Sequence, residues 1–200
     1  MRILFVVLAL FPMLANAAVP AEVGSFKIVQ NRQYQLKHEL ALGAGMLPLD
    51  AFYKGFTGNL SYTFHFTDHF AWQVGRASVS YNISTGLSDQ LSRDFGLLTT
   101  DFPQVQWTIG SDLIWKLIYG KVALINRTLH HVEGFLIAGA SGVKVQSGIL
   151  PAPNVGVGGR LFLSDALSIR LDVTDSIVVG EKDMFNVLSV QLGLSLNFGS

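Results

Sequence analysis

The stretch Leu188-Ser189-Val190-Gln191-Leu192-Gly193-Leu194-Ser195-Leu196-Asn197-Phe198 decides the fold. Leu188, Val190, Leu192, Leu194, Leu196 and Phe198 fall on one face, and Ser189, Gln191, Gly193, Ser195 and Asn197 on the other. An unbroken period of two is a strand, not a helix. Roughly 9–11 residues is also the length with which a tilted strand crosses a bilayer. In a soluble sheet the polar face would be richly charged. Here it carries hydroxyls, amides and glycine.

The same alternation runs upstream. Leu40, Leu42, Ala44 and Met46 oppose Glu39, Ala41, Gly43 and Gly45, while Phe56, Leu60, Tyr62, Phe64 and Phe66 oppose Thr57, Asn59, Ser61, Thr63 and His65. Val105, Trp107, Ile109, Leu113 and Trp115 lie opposite Gln104, Gln106, Thr108, Gly110 and Asp112, and Leu167, Ile169, Leu171 and Val173 lie opposite Ser168, Arg170, Asp172 and Thr174. Counting such segments gives eight strands, at 37–47, 54–66, 70–82, 104–117, 128–141, 153–164, 167–177 and 187–198. In 70–82 the apolar face changes parity around Gly75–Ala77, which predicts a bulge. Tight turns at 67–69 and 164–166 fall at the end where the strand set begins and closes, together with a longer connection at 118–127. Long connections at 83–103, 142–152 and 178–186 fall at the other end. An even count with short turns on one side predicts an all-β fold, a closed eight-stranded antiparallel up-and-down transmembrane β-barrel.

Composition narrows the function. The chain has 200 residues, 50% of them hydrophobic and only 14% charged, which excludes a disordered chain. Basic and acidic residues balance at 14 each, so no basic excess points to nucleic acid. With no cysteine there is neither a disulfide nor a thiolate metal site. Arg2, the apolar run Ile3–Leu14 and Ala15-Asn16-Ala17 read as a signal peptide over 1–17, cleaved between Ala17 and Ala18. The run is far short of the ~20 residues that a spanning helix needs. A short periplasmic segment (18–36) and a barrel domain (37–200) follow, with both mature termini periplasmic and the barrel in the outer membrane.

Aromatic placement agrees. Phe64, Phe66, Phe70, Trp72, Trp115 and Phe198 collect toward the end of the termini, and Phe52, Tyr53, Phe56, Tyr81 and Trp107 toward the other. Two such bands are the girdles of a membrane barrel. On the inner face Arg160 should oppose Arg170 across the 164–166 turn, with Glu133 and Asp172 near enough to hold them. Glu39 and Asp112 are further inward acids. This predicts an ionic plug, because eight strands enclose only enough room for side chains.

Catalytic signatures are weak. Neither HExxH, Gly-x-Ser-x-Gly nor a phosphate loop occurs. Adjacent His130 and His131 point to opposite faces of a strand, so only His131 can join Glu133, too little for a metal. Asp68-His69 occupies a turn tip, and Ser84 and Ser88 near the outer rim have no histidine beside them. No cofactor is expected. The expected role is a non-catalytic anchor or interaction platform. A lipid-modifying enzyme and a narrow channel are the alternatives. Partners would be outer-membrane lipids, the barrel-assembly machinery during biogenesis, and envelope proteins met through the loops.

Several stretches also resemble a family of small outer-membrane β-barrel domain proteins of myxobacteria, Bdellovibrio-like predators and their relatives. They are Asn31-Arg32 with His38-Glu39-Leu40, Lys54-Gly55-Phe56-Thr57-Gly58, Tyr62-Thr63-Phe64-His65-Phe66-Thr67-Asp68-His69, Trp115-Lys116, Tyr119-Gly120-Lys121, Asn126-Arg127 and Leu196-Asn197-Phe198-Gly199. The resemblance implies a barrel in the outer membrane. It carries no catalytic residues, and by analogy it points to a scaffold role.

Overall fold

The structure, a computed structural model, describes residues 34, 36–48, 53–84, 104–124, 128–146, 148–180 and 184–199. They form eight strands: β1 (His38–Leu47), β2 (Tyr53–His65), β3 (Phe70–Ser84), β4 (Trp107–Leu124), β5 (Thr128–Val145), β6 (Gly148–Phe162), β7 (Leu167–Val179) and β8 (Met184–Phe198). Each strand pairs with its neighbours in sequence, and β1 closes antiparallel on β8 from His38↔Phe198 to Met46↔Val190. The expected signal peptide over 1–17, its expected cleavage between Ala17 and Ala18, nearly all of 18–36, Phe52, and 85–103 with Ser88 lie outside the described residues.

The register fixes the shape. A row of paired residues starting at Gly134 passes through Gly159, Leu171, Leu192, Ala44, Gly58, Val79 and Trp107. It returns to β5 at Lys144, ten residues beyond its start (134 to 144). That stagger on eight strands tilts them roughly 40° from the barrel axis.

The faces are inverted relative to a soluble protein. Leu42 (67% exposed), Leu113 (62%) and Leu192 (57%) stand on the outside, while Glu39 (0%) and Gln73 (1%) are sealed inside. Two inward glycines make room for this interior. A Cβ on Gly158 would run into the Phe135 ring and the Asp172 carboxylate, and one on Gly139 into Asp112.

Five local readings of the sequence are corrected. The connection expected at 118–127 is mostly strand. A bulge between Lys116 and Ile118 turns Leu117 and Ile118 both outward and hides the continuing alternation, so β4 reaches Leu124 and only 125–127 connect it to β5. Likewise 142–152 is not a loop. Pro151 and Pro153 suggest a break, yet β5 runs on to Val145 and β6 begins at Gly148, whose φ of 151° suits glycine in a tight turn. The 178–186 connection shrinks in the same way, since β7 ends at Val179 and β8 starts at Met184.

The fourth correction concerns the bulge in β3. It falls between Gln73 and Arg76, slightly earlier than expected, and it buries both of those side chains. Together the longer strands change the interior. Its far end, opposite the termini, is apolar: Leu47, Val105, Val143, Val145, Ala152, Val178 and Val187 cluster there, with Leu150 and Phe185 packed against them. Val105, which the alternation puts on the outer face, precedes the start of β4 at Trp107 and turns inward.

Candidate functional site

Inward residues stack in layers along the lumen. At the terminus end four rings meet. Tyr34 stacks on Phe162 with centroids 4.8 Å apart and meets His131 edge-on at 5.1 Å, and Tyr119 lies 5.7 Å from His131. The rings come from the adjacent strands β4, β5 and β6, and Tyr34, from the segment before β1, packs onto them at the mouth.

Above them sits the charged layer. Glu39 from β1 is its centre. One carboxylate oxygen, Oε2, accepts from His65 Nε2 at 3.0 Å and pairs with Arg160 Nη2, while Oε1 faces Arg170 Nη1 at 3.4 Å. Arg160 Nη1 also donates to Glu133 Oε2 at 2.7 Å. Arg170 Nε donates to Asp172 at 2.8 and 3.0 Å, and its Nη2 to Gln73 Oε1 at 3.1 Å. Phe135 offers its ring face to both cations, 5.0 Å from the Arg170 guanidinium carbon and 5.7 Å from that of Arg160.

Of the acids and arginines named from sequence, Glu39, Glu133, Arg160, Arg170 and Asp172 come together. Arg160 and Arg170 are direct cross-strand partners. Asp112 does not join them. It belongs to a separate group one layer higher, where it pairs with Arg76 Nε at 3.0 Å and accepts from Asn154 Nδ2 at 2.8 Å. Sequence reasoning missed Arg76, His65, Gln73, Lys116 and Phe135. A signal for Arg76 did exist. Past the parity switch the polar residues are Arg76, Ser78 and Ser80, not the continuation of Ala71 and Gln73.

Two small voids remain, one between the two charged layers and one between the upper of them and the apolar far end. One is bounded by Asn59, Ser61, Gln73, Arg76 and Asp172, the other by Ser78, Thr108, Ser141, Ser176 and Ser189. Each has room for roughly one water molecule.

On the outside, Phe64 and Phe66 meet edge to face at 5.1 Å, Phe66 stacks over Trp72 at 6.5 Å, and Phe70 over Trp115 at 6.2 Å. Phe198 stacks on His38 at 5.6 Å. Trp72 Nε1 donates to Ser111 Oγ at 2.8 Å, so the indole is satisfied on an apolar surface. At the other edge of the belt Trp107 pairs with Val79, and Phe56 with Tyr81.

The chemistry available is electrostatic. Four acids (Glu39, Asp112, Glu133, Asp172) face four cations (Arg76, Lys116, Arg160, Arg170) among the described residues. Glu39 is held between the guanidinium groups of Arg160 and Arg170, as their shared counter-ion. His130 turns away from His131, its Nδ1 lying 3.2 Å from the Phe162 carbonyl oxygen.

Fold and polarity together define the class: a small transmembrane β-barrel, with an apolar outer wall and a filled, ion-paired lumen. No protein-family model matches the chain, and no curated protein does. Among solved structures it is similar to the N-terminal β-barrel domain of Pseudomonas aeruginosa OprF (13% identity, 82% of this chain, 100% of that one, TM-score 0.47). It is similar also to Ail, the attachment invasion locus protein of Yersinia pestis (13%, 82%, 99%, TM-score 0.43), and to the outer-membrane enzyme PagL (11%, 80%, 99%, TM-score 0.42). The class rests on the closed ladder and the polarity of its two faces, not on these likenesses.

Proposed function

We propose that the protein is an integral outer-membrane barrel of the cell envelope, a structural anchor or interaction platform that neither catalyses a reaction nor conducts. The observation that carries this is the lumen. Aromatic rings fill the terminus end, two ion-paired layers fill the middle, and aliphatic side chains fill the far end. With the interior spent on packing, the loops and rim are the surface left for partners. Both mature termini then face the periplasm, and the resemblance to small envelope barrels supports a scaffold role.

Planar-bilayer recording tests the proposal. The folded protein should insert without steady conductance. A stable single-channel level whose ion selectivity changes in Asp172→Ala would replace the plug with a channel. Deacylation of outer-membrane lipid by the same preparation would replace the anchor with an enzyme.

A further inference from the structure

The β4–β5 hairpin reaches further at the terminus end than the rest of the wall. Its neighbours stop early: β3 begins at Phe70, opposite Trp115 of the girdle, and the β5–β6 ladder ends at Val132↔Leu161. Beyond those pairs β4 runs on to Leu124 and β5 starts back at Thr128, the two strands paired throughout. The stretch of β4 from Lys116 to Leu124 spans ~26 Å of strand, or ~20 Å along the barrel axis at a tilt of roughly 40°. The tip therefore stands clear of the girdle, in water.

The far part of the β4 edge is open. The last bond from β4 to its neighbour runs from the Lys116 N–H to the His69 carbonyl at 2.8 Å. In an antiparallel strand, residues on one face turn both main-chain groups to one side, and residues on the other face turn theirs to the opposite side. Lys116 is inward and turns toward β3. Past the bulge the inward positions are Tyr119, Lys121 and Ala123. The amides and carbonyls of Lys121 and Ala123 thus face away from β5, where no described residue meets them.

The surroundings select what fits. Amides and carbonyls at strand spacing match the main chain of another strand, whereas a lipid tail offers them nothing. Lys121 is exposed and has no ion-pair partner among the described residues. Ile118 (66% exposed) and Val122 (42%) flank it on the opposite face. A second copy joined edge to edge about Lys121 would set two lysines against each other, which is destabilising.

We propose that the β4 edge beyond Lys116 docks an extended strand of another envelope protein, in which apolar and acidic residues alternate. An acid opposite Lys121 pairs with it, and aliphatic side chains lie beside Ile118 and Val122. The proposal rests on the reading of the barrel as an interaction platform, and it names the surface and the partner's chemistry.

The probe is a short fluorescent peptide of alternating valine and glutamate, blocked at both ends and titrated against the folded protein in lipid nanodiscs. Fluorescence anisotropy should show saturable binding. Lys121→Glu should weaken it at least tenfold, and a valine–lysine peptide should then bind that variant in preference to the unsubstituted protein. Ala123→Pro removes a donor aimed at the partner and none used within the hairpin. It should weaken binding about tenfold while leaving the faster migration of the unboiled protein on gels unchanged.

Absence of saturable binding to the unsubstituted protein overturns the proposal, as does undiminished binding by either variant. A dimer of the protein that Ala123→Pro dissolves would put a second copy on the edge in place of a different partner. Steady conductance or lipid deacylation by the same preparation ends the platform reading, whatever the peptide does. A silent, lipid-inert barrel that ignores the peptide ends only the docking edge.

Discussion

Glu39→Ala should destabilise the barrel by about 3–5 kcal/mol, more than any other single substitution of a lumen acid. The reason is its position. One carboxylate, fully sealed from solvent, faces both Arg160 and Arg170 and accepts a hydrogen bond from His65. Removing it strands two buried guanidinium groups at once, each left with a single acid. Asp172→Ala should cost less, because Asp172 serves only Arg170 and its side chain retains 13% exposure. Replacing Glu39 and Arg160 together by glutamine should also cost less than Glu39→Ala alone, since fewer unmatched charges remain. Urea midpoints of the folded protein in vesicles measure the order. Equal midpoints for Glu39→Ala and Asp172→Ala would show that Glu39 is not the hub.

A second large effect is expected on deleting the chain from Leu188 onward. β8 is the strand that closes the ring, paired with β1 from His38↔Phe198 and with β7 from Leu167↔Leu196. Without it the edges of β1 and β7 would lie open in hydrocarbon, where each unsatisfied backbone group costs several kcal/mol. Those losses exceed any plausible net stability of a small domain. The truncated chain should therefore show no inserted fraction on vesicle flotation. Flotation at the level of the intact chain would mean that the remaining strands close without β8, contrary to the ladder described.

The closing strand and the strands around 37–66 were legible because nothing interrupts their alternation. Regions where the alternation breaks were read too short. Between Lys116 and Ile118 one extra residue inverts the faces, so Tyr119-Gly120-Lys121 resembled a loop although Tyr119 points back into the lumen. Pro151 and Pro153 carried the same false signal, although the β6–β7 ladder ends at Asn154↔Ser176 and asks neither position for a donor. The lumen was partly legible for a related reason. The local pair Arg160 and Arg170 follows from one hairpin, as does the nearby Asp172. The contacts of Glu39 with Arg160 and Arg170 span 121 and 131 residues, and only ring closure brings them together. Asp112 is inward as its place in the alternation implies, but its partner Arg76 was not legible, because Arg76 turns inward only through the β3 bulge.

The central claim is that the alternating apolar face meets lipid, and the three tryptophans report it without any substitution. Trp72, Trp107 and Trp115 share that face, the first and last in the girdle at the terminus end and Trp107 near the other. Intrinsic fluorescence should be measured after reconstitution into vesicles whose lipids carry bromine on the acyl chains. Strong quenching relative to unbrominated vesicles is the expected result. Unquenched emission, with the protein remaining in the buffer rather than with the vesicles, would contradict the account and make the apolar face the covered side of a soluble fold.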